Sequence, residues 1–192
     1  AKVSVHASNV ARAIAQFTVE HECDFLVLWT HDRRETKNWL GTGALAGQIA
    51  PSTKVQTLFF PGKASGFVEL STGRTKLRSL LVPIDDELQA AGALKRLQDT
   101  LRIVAPDVRP QFLHVGTKSQ DLSIDVANLC KDTLIRREGS VVSTILSVAR
   151  EIGAELIAMP TAGRHGVFDV LRGSTTERVL REAGLPILAV PI

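Results

Sequence analysis

The 192-residue chain carries 23 basic and 20 acidic residues, a formal charge of +3, and is 44% apolar. That apolar share is ample for a buried core in one large or two small domains. No uninterrupted apolar run reaches the about 20 residues of a membrane-spanning helix, and so small a net charge argues against a nucleic-acid groove.

The chain opens on Ala1-Lys2-Val3-Ser4-Val5, with neither a signal-peptide pattern nor an initiator methionine, so its beginning reads as cut. A short strand is expected at Lys2–Val5, then a helix at Asn9–His21 with Val10, Ile14 and Phe17 on one face. Asp24–Leu28 reads as a strand, followed by a polar loop, a second helix and a closing strand at Val55–Phe60. Residues 62–73 form a linker, rich in turn residues from Pro61-Gly62 to Ser71-Thr72-Gly73.

Leu77–Ile84 reads as a strand with Pro83 near its end, and Leu88–Ile103 as a helix carrying Ala91, Leu94, Leu97 and Leu101 on one side. Strand Gln111–Val115 follows Pro106 and Pro110. The remainder is strand Thr133–Arg136, helix Ser140–Ile152 with Val141, Ile145 and Val148 on its inner face, strand Glu155–Met159, a loop, a helix and a last strand at Pro186–Val190. Cys23 and Cys130 lie in neither metal-ligand nor redox-pair spacing, which fits ordinary packing in a reducing cytoplasm.

Residues 1–61 overlie residues 132–192 without a gap at an offset of 131, with the same order of elements. Few positions are identical, among them Thr30 with Thr161, Arg33 with Arg164 and Leu40 with Leu171, so the repeat is one of pattern. Alternating strands and helices call for a mostly parallel sheet covered on both faces. The expected fold is α/β: a doubly wound five-stranded sheet of order 3-2-1-4-5 in tandem. Residues 74–192 would supply a complete unit, and residues 1–61 the C-terminal half of another. Ligands gather at the switch between strands 1 and 4 of such a sheet. Asp85-Asp86 and the loop at 159–166 are expected to meet there.

The segment Met159-Pro160-Thr161-Ala162-Gly163-Arg164-His165-Gly166 through Gly173-Ser174 puts small residues and basic groups directly after an apolar strand. Ser174-Thr175-Thr176-Glu177 has the spacing of a helix cap and its reciprocal glutamate. Exposed N–H groups and the helix dipole favour an anion at such a helix start, and glycines allow the chain to approach it closely. A capped helix after a glycine-rich loop, with no ligand, is the other reading.

Taken together, Leu80-Leu81-Val82-Pro83-Ile84-Asp85, His114-Val115, Glu155–Met159, the loop to Gly173-Ser174, and Leu185-Pro186-Ile187-Leu188-Ala189-Val190 resemble the universal stress protein family. The whole looks like a tandem member with a truncated first repeat. Members that bind ATP have Gly-x-x-Gly, nine residues, then Gly-Ser or Gly-Thr. Here that register falls on Pro160 to Gly163, residues 164–172, and Gly173-Ser174, with Pro160 in place of the first glycine and Ala162 at the usual histidine-like position. The resemblance implies a nucleotide site of Asp85 near the ribose, Val115 offering backbone contacts to adenine, and Gly163, Arg164, His165, Gly166, Gly173, Ser174 and Thr175 around the phosphates. In the first copy Trp29-Thr30-His31-Asp32 and Thr42-Gly43 replace the loop, and a carboxylate at Asp32 would repel polyphosphate. That copy is expected to hold no ATP.

No Walker lysine, nucleophile elbow or histidine metal spacing is evident: His6, His21, His31, His114 and His165 are scattered. Asp85-Asp86 could hold Mg²⁺ beside ATP, or form a solvated strand end. Hydrolysis is expected to be slow at most, since rapid turnover needs an activated water and transition-state charge stabilisation. The expected role is a cytoplasmic, stress-associated nucleotide-binding module whose ligand state tunes association with a protein partner. The alternative is a ligand-independent interaction module paired through its last strands, Val55–Phe60 and Leu185–Val190.

Overall fold

A computed structural model describes residues 10–30, 55–62, 64, 66–84, 90–116, 133–161 and 175–191. In chain order the described elements are α1 (Val10–Glu20), β1 (Phe25–Thr30), β2 (Gln56–Pro61), β3 (Ser79–Ile84), α2 (Ala90–Val104), β4 (Arg109–Val115), β5 (Leu134–Arg137), α3 (Val141–Glu151), β6 (Leu156–Thr161), α4 (Thr175–Glu182) and β7 (Ile187–Pro191). The expected strand at Lys2–Val5 lies outside the described residues.

The strands form one seven-stranded sheet in the order β1-β2-β7-β6-β3-β4-β5, rather than the expected tandem of a complete five-stranded unit and half of another. Neighbours are parallel except β2 and β7, which run antiparallel through Thr57↔Ala189, Leu58↔Leu188 and Phe59↔Ile187. That pairing fuses what the sequence reading treats as two sheets. Both strands are buried along their centres, so leaving either as a free edge would expose apolar surface and unpaired backbone groups.

Alternation along each strand divides the core in two. Leu80, Val82, Ile84, Leu156, Ala158, Leu188 and Val190 face α2, which contributes Ala93, Leu94, Leu97 and Leu101. Leu81, Leu113, Ile157, Met159, Ile187 and Ala189 face α3 and α4. Fully burying a leucine or isoleucine contributes about 1.5–3 kcal/mol, so residues such as Leu80, Leu81 and Ile157, with no accessible surface, dominate the stability of these layers. On α3 the buried face is Val142, Ile145, Leu146, Val148 and Ala149. Val141, expected inside, is 42% exposed: at the first helical position it starts the stripe one residue out of phase with the i, i+3, i+4 spacing that Val142 begins.

Both strand prolines are accommodated where one neighbour gives out. Pro83 lies in β3 beyond the stretch paired with β6, which ends at Leu81. Pro110 lies inside β4, earlier than the expected strand start, where β5 has not begun to pair. Their missing N–H groups therefore leave no two-sided ladder broken.

The start of the central sheet is held by Glu155. One carboxylate oxygen accepts from the backbone N–H of Arg78 at 2.6 Å and of Ser79 at 3.3 Å, while the Glu155 N–H donates to the Ser79 carbonyl at 2.9 Å. The Ser79 hydroxyl donates to the Ile152 carbonyl at 3.2 Å. These bonds tie the approach to β3 to the turn between α3 and β6.

Candidate functional site

β3 and β6 are parallel neighbours, paired through Leu80↔Leu156 and Leu81↔Ile157. From β3 the chain steps outward to β4 and β5, returns to β6, and then steps the other way to β7. Connections that diverge to opposite sides leave a crevice beyond the carboxyl ends of the two strands where the direction reverses. The candidate site is built on that rim, from the ends of β3, β4 and β6 and the start of α4.

Ile84 ends β3 opposite His114 of β4, and His114 in turn lies opposite Arg136 of β5. His114 is buried, and among the described residues neither ring nitrogen has a hydrogen-bond partner. A neutral imidazole carries one donor and one acceptor, and leaving such groups dry costs about 1–3 kcal/mol. Val115, the next residue, is half-buried against the α3 and α4 side of the core. The strand end is pinned by the Gly116 N–H, which donates to the Arg137 carbonyl at 3.1 Å. Arg137 is also held at its side chain, 3.0 Å from Glu151.

Pro160 and Thr161 are still part of β6, in register with Val190 and Pro191. Pro160 therefore takes an extended backbone within β6, a conformation its fixed φ suits. The buried Thr161 hydroxyl donates to the Val190 carbonyl at 3.3 Å, which anchors the end of β6 to β7. Across the loop, α4 begins at Thr175, which is exposed, whereas Thr176 and Val179 are buried. The packing of α4 against α3 fixes where its first turn of N–H groups emerges.

Of the residues proposed from sequence, Val115 and Thr175 are placed on this rim, at the end of β4 and the start of α4. Asp85, Gly163, Arg164, His165, Gly166, Gly173 and Ser174 lie outside the described residues, as do Asp86 and Ala162. Among the described residues no group of three or more His, Cys, Asp and Glu side chains could hold a metal ion. In the sequence His114 closes a strand beside Val115 and stands among histidines lacking metal spacing, with no role of its own. The strand alternation that buries Phe112 also turns His114 inward, and that was the available signal.

Residues 124–191 match the model of the Universal stress protein family. Over 86 residues the chain is 34% identical to Universal stress protein A homolog 2 of Coxiella burnetii (strain RSA 493 / Nine Mile phase I), a match covering 45% of this chain and 58% of that protein. The similarity to the universal stress protein family thus lies in the C-terminal part of the chain. A crystal structure of a universal stress protein from Archaeoglobus fulgidus DSM 4304 shares the fold, with a TM-score of 0.64 at 22% identity over 93% of this chain and 64% of that one. So does a functionally unknown protein of Pseudomonas aeruginosa PAO1, with a TM-score of 0.63 at 14% identity over 99% of this chain and 69% of that one. The chain thus spans under two thirds of the Coxiella and Archaeoglobus proteins. The family match begins beyond the end of β4 and takes in β5, α3, β6, α4 and β7, so it includes the end of β6 and the start of α4 on the rim.

Proposed function

We propose that this chain is a universal-stress-type regulatory module that binds an adenine nucleotide, ATP with Mg²⁺ as accompanying ion, beyond the carboxyl ends of β3 and β6. The carrying observation is the reversal of chain direction between those two parallel strands. In this reading Asp85 meets the ribose and the Val115 backbone meets the base. The phosphates lie against Gly163, Arg164, His165, Gly166, Gly173, Ser174 and the first turn of α4 at Thr175. The strand register of Pro160 supports it, because the proline that replaces the first motif glycine is absorbed by β6 before the loop starts. Bound nucleotide favours whichever loop conformation it binds more tightly, and so shifts the population presented to a protein partner. No catalytic residue is assigned.

The domain reading that accompanies it takes residues 1–61 as the second half of a first repeat, 62–73 as a linker and 74–192 as a complete unit of order 3-2-1-4-5. The described elements support this: α1, β1 and β2 start 131 residues before α3, β6 and β7, respectively. The antiparallel β2–β7 register is symmetric under that offset, with the local twofold passing between Thr57 and Leu58 and between Leu188 and Ala189.

Calorimetry with ATP, with Mg²⁺ varied, tests the nucleotide reading. Saturable binding near one per chain, weakened by Gly163→Ala, Gly173→Ala and Ser174→Ala in folded variants, is expected. Unchanged affinity in all three would sink the site. A folded chain that binds no nucleotide would favour the second reading, an interaction module without ligand, which the buried β2–β7 pairing supports on its own.

A further inference from the structure

We propose that His114 reads the ribose of the bound nucleotide, its imidazole taking from a sugar hydroxyl the hydrogen bond that no described residue gives it. The inference rests on the nucleotide reading above and names a specificity-determining residue within it.

His114 stands one residue before the end of β4. It faces the α2 side, because Phe112, two positions earlier on the strand, packs in the α2 layer with Ile84. Ile84, its partner on one side, is the last residue of β3, and Arg136, its partner on the other, is exposed near the end of β5. The ring therefore lies among strand ends at the carboxyl rim of the sheet, beside the crevice where chain direction reverses between β3 and β6. Val115, whose backbone meets the base in that reading, is the next residue. Asp85, assigned to the ribose, is the residue that follows Ile84 in the chain. The sugar thus falls to the strand ends that flank His114, whereas the phosphates fall to the segment after β6.

The chemistry of the ring points the same way. His114 is 4% exposed, and both of its nitrogens are closed to solvent. Its described surroundings bring no side-chain acceptor: β3 ends in Val82-Pro83-Ile84, and α2 packs Ala93 and Leu94 into the cluster that holds Ile84 and Phe112. Packing alone calls for an apolar residue here, as at Phe112 and Leu113, and an unpaired imidazole lowers stability. A ribose hydroxyl donates and accepts at once, so it suits either ring nitrogen in either tautomer, while a phosphate oxygen only accepts. The histidine χ2 is a broad torsion, so the ring can turn one nitrogen toward the crevice without moving β4, which the Gly116 N–H pins to the Arg137 carbonyl at 3.1 Å. A buried polar group completed only by a ligand hydroxyl discriminates strongly against the analogue that lacks it.

The test is calorimetry with ATP, 2′-deoxy-ATP and 3′-deoxy-ATP on the unchanged chain, His114→Leu and His114→Gln, together with imidazole nitrogen NMR of the unchanged chain. One deoxy analogue is expected to bind the unchanged chain about tenfold more weakly than ATP. His114→Leu, with an unfolding midpoint no lower than that of the unchanged chain, is expected to bind ATP as weakly as that analogue and to lose the discrimination, and His114→Gln to recover part of it. ATP, but not the rejected analogue, should shift the His114 ring nitrogens. Discrimination that survives His114→Leu overturns the proposal while leaving the nucleotide site standing, and so does ATP binding that leaves the ring nitrogens unmoved. The NMR comparison decides the matter on the unchanged chain even where a variant does not fold. A folded chain that binds none of the three nucleotides overturns the nucleotide reading and this assignment with it.

Discussion

Glu22 and Gly153 occupy the same place in two copies of one helix-ending turn, 131 residues apart. After α3, the Gly153 N–H donates to the Arg150 carbonyl at 3.2 Å and the Ala154 N–H to the Ala149 carbonyl at 2.8 Å. After α1, the Glu22 N–H donates to Val19 at 3.2 Å and the Cys23 N–H to Thr18 at 3.0 Å. Both central residues are left-handed, with φ of 60° at Gly153 and 47° at Glu22. This is the Schellman arrangement, whose C′ position favours glycine because a Cβ there crowds the backbone.

Glu22→Gly is therefore expected to stabilise the protein, by up to about 1 kcal/mol. Gly153→Ala is expected to destabilise it by a similar amount. A Cβ at Gly153 would meet nothing within 4 Å, so the cost is conformational rather than steric. Urea midpoints of the two variants, moving in opposite directions at constant m-value, check this.

Replacing His114 by leucine removes two buried nitrogens that have no partner among the described residues, at little change in volume. A gain of about 1 kcal/mol is expected, whereas His114→Ala, which leaves a cavity, is expected to lose stability. Equilibrium unfolding of both variants separates the polar from the packing effect.

Glu155→Ala deletes the acceptor for the Arg78 and Ser79 N–H groups. The site is partly open to water, so a loss of about 1–2 kcal/mol is expected. Amide exchange should accelerate at those two residues, and far less at Leu113, deep in β4.

Between β2 and β3, Glu69 is held below the usual glutamate range by the Thr72 hydroxyl and, next, by Lys76 at 2.9 Å. A depressed carboxylate contributes stability above its unfolded pKa and loses it as pH falls through the folded one. The Glu69–Lys76 contact should therefore persist at neutral pH and loosen in the acid range. Carboxyl NMR titration should place the Glu69 midpoint low, and Thr72→Ala should move it up.

Local periodicity made the elements legible. Helix α3 and strands β2, β6 and β7 fall within a residue or two of the ranges read from apolar spacing, because side chains repeat at 3.6 or 2 residues regardless of what covers them. The rim of the site was legible only as far as those elements reach: Val115 and Thr175 stand where a strand end and a helix start put them. His114 was missed because an inward-facing histidine looks, in sequence, like any other polar residue near a strand end. Whether its nitrogens find partners depends on neighbours from β3 and β5 that are distant in the chain.

By itself, the sequence determined the alternation of strands and helices, since it is written in local apolar spacing and in turn residues such as Gly153. Only the tertiary structure decided that the strands form one sheet, with β2 and β7 antiparallel at the join, and that Pro83 and Pro110 fall where a neighbour is missing. The reason is physical: strand pairing is a choice among partners of similar local propensity, settled by which arrangement buries the most apolar surface and leaves the fewest backbone groups unpaired.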